Sequence, residues 1–545
     1  KGLRAAAARQ LAARPWAIWG LQHNWLGQKT PHHHTRQVLD LPVSLSGNKI
    51  HENIHLKPNA NQVAVRLAVS AARNGLKSIV FVNTKNDAVS VAREISSELH
   101  ETIVPSDSEQ ERWVSLQAEL GDLKHALLSQ PAIAVPHNSS MLRLERELSE
   151  SMFKRANGSK VIVATPTLAQ GLNLPAHLSI LAGDKRADAD QKGRENLEAH
   201  EILNAAARAG RAGHLANGIV LLIPEPIISF SDDKPVDLSV IRKLKSVLPE
   251  DDRCVVITDP LEMVLDRIMQ GDFLDSDVRY MVNRMAALRE AEEFEEPTLL
   301  FDVRKSLAAF AARKRHVEAE FEAKITGLKN AIMQDMPEGA DNTIAVLASQ
   351  SGLSMELLQR LKKRVADGAG SLPASIEEWL IWAIDWLAED DNARTSLLYG
   401  VKRSVLGACG EKRDGEINSK EMMFILPGLL AWIKGHSIAA IEKDLGGDPN
   451  TASQAERVCP RARELVGSVI PRGFSFIMGL ISHVVDELDP FHTQENLSPK
   501  VIECLGTAVR KGYDEPEKVL FAMAHPAVLS RVRIHQLWKQ ENAFD

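Results

Sequence analysis

Two arginines three residues apart, Arg208 and Arg211, lie in "ILNAAARAGRAGHLANG" (202–218), with Gly210 and Gly213 beside them. On a helix that spacing puts both guanidinium groups on one face. The alanines and glycines around them leave nothing bulky to block an approaching anion. Fixed guanidinium forks suit a phosphoryl group that gains charge as it transfers. A pair of surface arginines on a small-residue helix has the same spelling, and in isolation that plainer alternative stands ahead.

A second stretch, "VIVATPTLAQGLNLPA" (161–176), offers a different kind of anion contact. Its apolar run stops at Thr165, whose hydroxyl and following backbone N–H groups suit a phosphate oxygen. Gly171 permits a φ value or a close approach that a side chain would forbid, and Pro175 ends the segment. Strand–threonine–helix turns also occur as simple helix caps, so this stretch alone leaves both readings open.

The elements that must position these residues are legible around them. Four short runs rich in Val and Ile, "SIVFV", "VIVAT", "SILAG" and "GIVLLI", punctuate residues 78–223. They are continuous rather than alternating, as strands buried on both faces of a parallel sheet are. Helix-like segments lie between them, notably 85–99 and 141–157. The alternation predicts right-handed βαβ crossovers and a doubly wound α/β domain. Ligands of such sheets bind beyond the carboxyl ends of the strands, which is where Thr165 falls.

Taken together, the segments resemble the superfamily-two helicases, especially the superkiller-like branch related to the DEAD/DEAH proteins. "ATPTLAQGLNLPA" is similar to motif V, "NAAARAGRAG" to motif VI, and "SIVFVNTKNDA" (78–88) to motif IV. "VPHNSSMLRLERELSESMF" (135–153) resembles the His-rich turn and helix that precede motif V in that branch. The resemblance covers residues 59–225 well and the rest loosely. It implies a RecA-like second motor lobe followed by a mostly α-helical region with winged-helix-like and helical-bundle parts.

The same resemblance implies roles. Arg208 and Arg211 would be arginine fingers at the γ-phosphate, and Gly171, Asn173 and Asn204 would face ATP. Thr165, Thr167, Asn83 and Thr84 would touch the nucleic-acid backbone, with His137 and Asn138 as further candidates. The cofactor would be ATP with Mg2+, and the strand single-stranded or partly duplex DNA or RNA. Two departures stand out: Asn204 replaces the usual glutamine of motif VI, and Ala207 the glycine before its first arginine. No G-x-x-x-x-G-K-[ST] loop occurs, and "VVDELDP" follows a helical pattern rather than ending a strand. The magnesium ligands would therefore come from a first lobe lying outside these residues, and the chain alone is expected to be inactive.

Organisation follows from that frame. Residues 1–58 read as the end of a first lobe and a linker, 59–232 as the second lobe, 233–335 as a linker with a winged-helix-like and long-helix region, and 336–545 as a helical domain. The triple histidine His32–His34 reads as a solvated loop. Residues 301–335 read as one long amphipathic helix with a basic knot, "ARKRH" (312–316), that would face nucleic acid. "TIAVLASQSGLSMELLQRLKKRV" (343–365) has helix–turn–helix character around Gly352. Trp379, Trp382 and Trp386 share one helical face and read as core. The helical tail bears a general likeness to bacterial anti-phage helicases of the Hachiman type.

Composition bounds the rest. With 545 residues the chain needs several cores, and 44% hydrophobic with 25% charged residues is ordinary globular usage. A net charge of −7 argues against a uniformly basic coat but leaves room for a basic groove. Cys254, Cys409, Cys459 and Cys504 form no CxxC pair, which predicts structural thiols, no metal site and a cytoplasmic setting. No apolar run reaches the roughly 18–20 residues of a membrane helix. Two functions fit: the rear portion of an ATP-driven helicase or translocase, or a catalytically inert module derived from one that grips nucleic acid or a partner effector protein. A DNA-binding regulator built on 343–365 would leave 78–223 without a purpose.

Overall fold

Among the described backbone before residue 60 lie the strands β1 (Ala12–Ala13), β2 (Ile18–Gln22), β3 (His32–Arg36), β4 (Val43–Ile50) and β5 (Asn53–Pro58). The order β1-β4-β5 makes one antiparallel sheet, and β2 pairs with β3 in another. His32–His34 therefore belong to a strand, in register with Gln22, Leu21 and Gly20, and not to a loop. This computed structural model describes residues 60–121, 132–165, 174, 176–183, 218–223, 260–271, 278, 280–282, 284, 303–334, 342–411, 415–450, 458–490, 494 and 496–542. The five strands above and the short pair 185–187 and 194–196 are described as backbone.

The four Val/Ile runs all become strands of one parallel sheet. They are β6 (Ser78–Phe81), β8 (Val161–Ala164), β9 (Leu178–Ala182) and β12 (Ile219–Ile223). β10 (Lys185–Ala187) and β11 (Arg194–Asn196) form a small antiparallel hairpin beside it in sequence. A fifth strand of the large sheet, β7 (Ala134–His137), lies inside a segment read above only as a turn and helix. The strand order is β12-β9-β6-β8-β7, with every pairing parallel. β7 carries Pro136 and occupies the end of that order, where a missing N–H costs no ladder bond on the open side.

Helices α1 (Ala60–Arg73), α2 (Lys85–Leu99), α3 (Asp107–Leu120) and α4 (Arg143–Lys154) complete this unit's early part. Val65, Ala68 and Val69 of α1 pack with Val91 and Ile95 of α2 on Val80, Val163 and Ile180 of the sheet. Alternate strand residues supply that face, and the intervening ones, such as Ile79 and Ile162, are just as buried. Burial on both faces is why the runs are continuous.

The amino ends of the strands are sealed by the chain itself. Lys77, 7% exposed, donates from Nζ to the carbonyls of Phe153 and Arg155. Its backbone N–H donates to His177 Nδ1 at 3.0 Å, and its carbonyl accepts from His177 and Leu178. Burial, with Lys160 and Arg155 nearby, pushes the Lys77 ammonium down to about 8.

Two compact units partition the chain. One comprises Lys1–Val255 with Ser437–Arg463 and Ala527–Arg533; the other comprises Val256–His436 with Glu464–Pro526 and Ile534–Asp545. Late segments join the first unit through buried acids. Glu119 of α3 accepts from Ser530 Oγ at 3.0 Å and from Arg531 Nε at 3.1 Å. Gly121, at φ +85°, ends α3 where a Cβ would collide with Ser437, so only glycine satisfies both the turn and the approach.

The second unit is helical among its described residues. The expected long helix at 301–335 is two helices, Leu307–Arg315 and Glu318–Gln334, divided where His316 takes a left-handed φ of 59°. The basic knot ends the first of them, with Arg315 paired to Glu262 at 2.6 Å. Asn342–Ser351 and Met355–Asp367 flank a turn at Gly352, φ +71°, as the helix–turn–helix pattern predicts. Trp379 and Trp386 of helix Ile376–Glu389 are buried, and Trp382 packs edge-on to Trp379. Trp432 is fixed by a bond from its indole nitrogen to the Val509 carbonyl at 2.8 Å.

One helix departs from the reading of apolar runs. Pro460–Leu488 is continuous over 29 residues, with mean hydropathy 1.5 in its most apolar window, long and apolar enough to cross a membrane by length and composition. Residues Leu465–Phe474 are a π-helix that carries Pro471 and Arg472 and continues into the apolar helix Ser475–Leu488. Half of that window is buried inside the protein.

Candidate functional site

The carboxyl ends of β6, β8 and β7, three neighbours in the sheet, gather five of the residues singled out by sequence. Asn83 and Thr84 follow β6, Thr165 follows β8, His137 ends β7 and Asn138 follows it. Ladder bonds tie these ends together: Val82 N–H donates to the Ala164 carbonyl at 2.9 Å, and Thr165 N–H to the His137 carbonyl at 3.4 Å. Parallel strands necessarily bring their carboxyl ends to the same edge, so the sheet alone explains the clustering.

Each side chain has its own arrangement. Thr84 caps α2, its hydroxyl accepting from Asp87 N–H at 3.1 Å and donating to the Asp87 carboxylate at 2.7 Å. That cap fixes the start of a helix whose N-terminal dipole faces the edge. Asn83 beside it is half-buried. Asn138 is 2% exposed: its Oδ1 accepts from Ser140 N–H at 3.0 Å and from the Ser140 hydroxyl, while its amide reaches the Lys85 carbonyl at 3.5 Å. The Asn138 side chain is thus spent on shaping the turn and linking it to α2.

His137 is buried, with Nε2 3.0 Å from Glu150 Oε1 on α4. Desolvation pushes the imidazole below its ordinary 6.5, against the opposing pull of Glu150. Glu150 was not singled out by sequence. It lies 13 residues along, across a turn, where no spacing rule of a single helix or strand connects it. Thr165 is 7% exposed. Leu174 and Ala176, ahead of β9, are each 1% exposed.

Thr167, Gly171, Asn173, Asn204, Arg208 and Arg211 lie outside the described residues. The described flanks set where their segments begin and end. Thr165 opens the motif V segment at the carboxyl edge, and β12, starting at Ile219, receives the chain after the motif VI segment. Among the described residues no group of three or more His, Cys, Asp or Glu is arranged to hold a metal ion. Cys459 is buried and its thiol is pushed up to about 12, mainly by desolvation, as for an inert structural thiol.

No family model matches the chain. Among characterised proteins it is 32% identical over 160 residues to activating signal cointegrator 1 complex subunit 3 of Dictyostelium discoideum, covering 29% of this chain and 7% of that protein. It is 25% identical over 272 residues to the RQC trigger complex helicase SLH1 of Saccharomyces cerevisiae, covering 48% of this chain and 14% of that one. It is 33% identical over 162 residues to the ATP-dependent DNA helicase Hel308 of Pyrobaculum calidifontis, covering 29% and 23%. The matched stretches thus span less than a quarter of these relatives' lengths. Motif order, the parallel sheet and these similarities agree: the chain is a relative of the superfamily-two helicases of the superkiller-like branch.

Proposed function

We propose that this chain supplies the second motor lobe of an ATP-dependent helicase or translocase that acts on single-stranded or partly duplex DNA or RNA. The observation that carries this reading is the edge where Asn83, Thr84, His137, Asn138 and Thr165 meet on adjacent parallel strands, in a chain whose relatives include ATP-dependent helicases. A first lobe outside these residues would hold most of ATP and its Mg2+, whose hydrolysis supplies the driving energy.

Within this chain the division of labour follows the edge. The Thr165 hydroxyl and the capped N-terminus of α2 beside Asn83 would hold backbone phosphates of the strand. Asn138 and Glu150 hold the β7 turn and His137 in place behind them. Gly171, Asn173 and Asn204 would face the nucleotide, and Arg208 and Arg211 would meet the charge that develops on the γ-phosphoryl group. A cytoplasmic setting suits that chemistry.

The test joins the chain to a first lobe bearing a Walker loop, and measures ATP turnover with and without single-stranded oligonucleotide. Stimulated turnover is expected, and Arg211→Ala should lower it about a thousandfold, as loss of an arginine finger does. Turnover indifferent to Arg211→Ala would remove the finger assignment. Strand binding with no turnover would favour the inert binding module instead.

A further inference from the structure

We propose that Arg463, more than three hundred residues along the chain from α4, is a positioning residue for the strand-binding edge, acting through Glu145 on the loop 138–142. The proposal rests on the nucleic-acid reading above and adds a part of the chain that the motif resemblance does not reach.

Glu145, fully buried on the first turn of α4, has two tasks. Its Oε2 accepts from the Leu142 backbone N–H at 2.6 Å and from Arg463 Nη1 at 2.7 Å, while Oε1 accepts from Arg463 Nη2 at 2.7 Å. One carboxylate therefore fixes the end of the loop and receives a bidentate guanidinium fork. Such a pair sets orientation as well as contact. Arg463 is itself locked, with Nε donating to the Val458 carbonyl at 2.8 Å. The adjoining Ala462 N–H donates to the buried Glu442 carboxylate at 2.8 Å. Arg463 thus reaches α4 from a segment that is already rigid.

The loop between is clamped from both ends. Asn138 ties its start to Ser140 and to the Lys85 carbonyl; Glu145 ties its finish at Leu142. Met141 and Leu142 are buried, leaving Ser139 exposed beside the carboxyl ends of the strands. Glu150, five residues beyond Glu145 on α4, holds His137. A shift of α4 would therefore displace the turn and His137 together. An apolar pair of similar volume could fill the same space, but it would not fix the helix by two directed bonds.

The test compares wild type with Arg463→Met and with the double variant Glu145→Gln/Arg463→Met. Glutamine keeps an acceptor for Leu142, and the double variant removes both charges of the pair, so neither is left buried without its partner and it folds even where Arg463→Met does not. Hydrogen exchange is read by mass spectrometry on 138–146 and on α1 and α2. Binding is read with a fluorescein-labelled oligodeoxythymidylate. Expected in the double variant are exchange at 138–146 about tenfold faster, unchanged exchange in α1 and α2, and an oligonucleotide Kd raised about tenfold. Arg463→Lys, a single point charge in place of a fork, should recover part of both effects. Unchanged exchange at 138–146, or a loss spread evenly over α1 and α2, would overturn the positioning role. So would faster exchange at 138–146 with wild-type oligonucleotide affinity. If the wild type itself fails to bind, the nucleic-acid reading fails, and the loop exchange alone decides whether Arg463 positions the turn.

Discussion

The two ends of the five-stranded sheet both carry polar side chains, and they use them in opposite ways. At the amino ends, Lys77 is turned inward and consumed by backbone carbonyls of residues 153 and 155. At the carboxyl ends, Thr84, Asn138 and Glu150 hold turns in place and leave the edge lined with side chains and helix starts. Strand polarity explains the asymmetry. The chain enters every strand from one side, where a seal suffices, and leaves on the other, where loops of free length can be shaped. A buried polar group in such a sheet therefore indicates function only when its end of the strands is known.

The largest way to break this comparison is at the brace of the carboxyl edge. Glu145→Gln alone should cost about 3–5 kcal/mol in urea unfolding, because it leaves the Arg463 guanidinium buried without its countercharge. An unfolding midpoint within error of wild type would mean the pair is solvated. The amino end is tested by pH. Lys77 releases its proton at about 8 in the fold against 10.5 ordinarily, so between those values the unfolded chain binds more protons and stability rises with pH. Lys77→Met should abolish that rise; equal slopes for variant and wild type between pH 8 and 10 would sink the assignment.

Smaller effects sharpen the carboxyl side. Asn138→Ala removes the turn bonds and the link to Lys85, and should cost about 1–3 kcal/mol by thermal or urea unfolding. Thr84→Ala removes one helix cap and should cost about 1 kcal/mol, while Thr84→Ser should cost little. A Thr84→Ala loss as large as that of Asn138→Ala would show that the α2 cap and the β7 turn act as one unit.

Much of the first unit was readable from residue order because burial on both sheet faces leaves continuous Val and Ile runs. β6, β8, β9 and β12 follow from those runs, and α2 spans the predicted 85–99. β7 escaped because Pro136 looks like punctuation in a segment that is in fact an edge strand. The helix at 301–335 broke at His316 because nothing in a histidine announces a left-handed backbone. The places of Thr165 and Asn83 just past the ends of β8 and β6 were legible, the first from its apolar run and the second through motif resemblance. The contacts that hold the edge, His137 to Glu150 and Glu145 to Arg463, were not, since tertiary pairs 13 and 318 residues apart leave no local spacing.

The π-helical stretch at Leu465–Phe474 has a consequence for how the tail can change. A wider coil lets Pro471 sit within a continuous rod, and it also sets the rotational phase of everything after it. Deleting one residue there would change the rotational phase of the following segment Ser475–Leu488 about its axis, turning Ile477, Met478 and Ile481 away from the interior. Insertions and deletions in this rod should therefore be far less tolerated than substitutions, and a one-residue shift would scramble the packing of a whole bundle through a single turn.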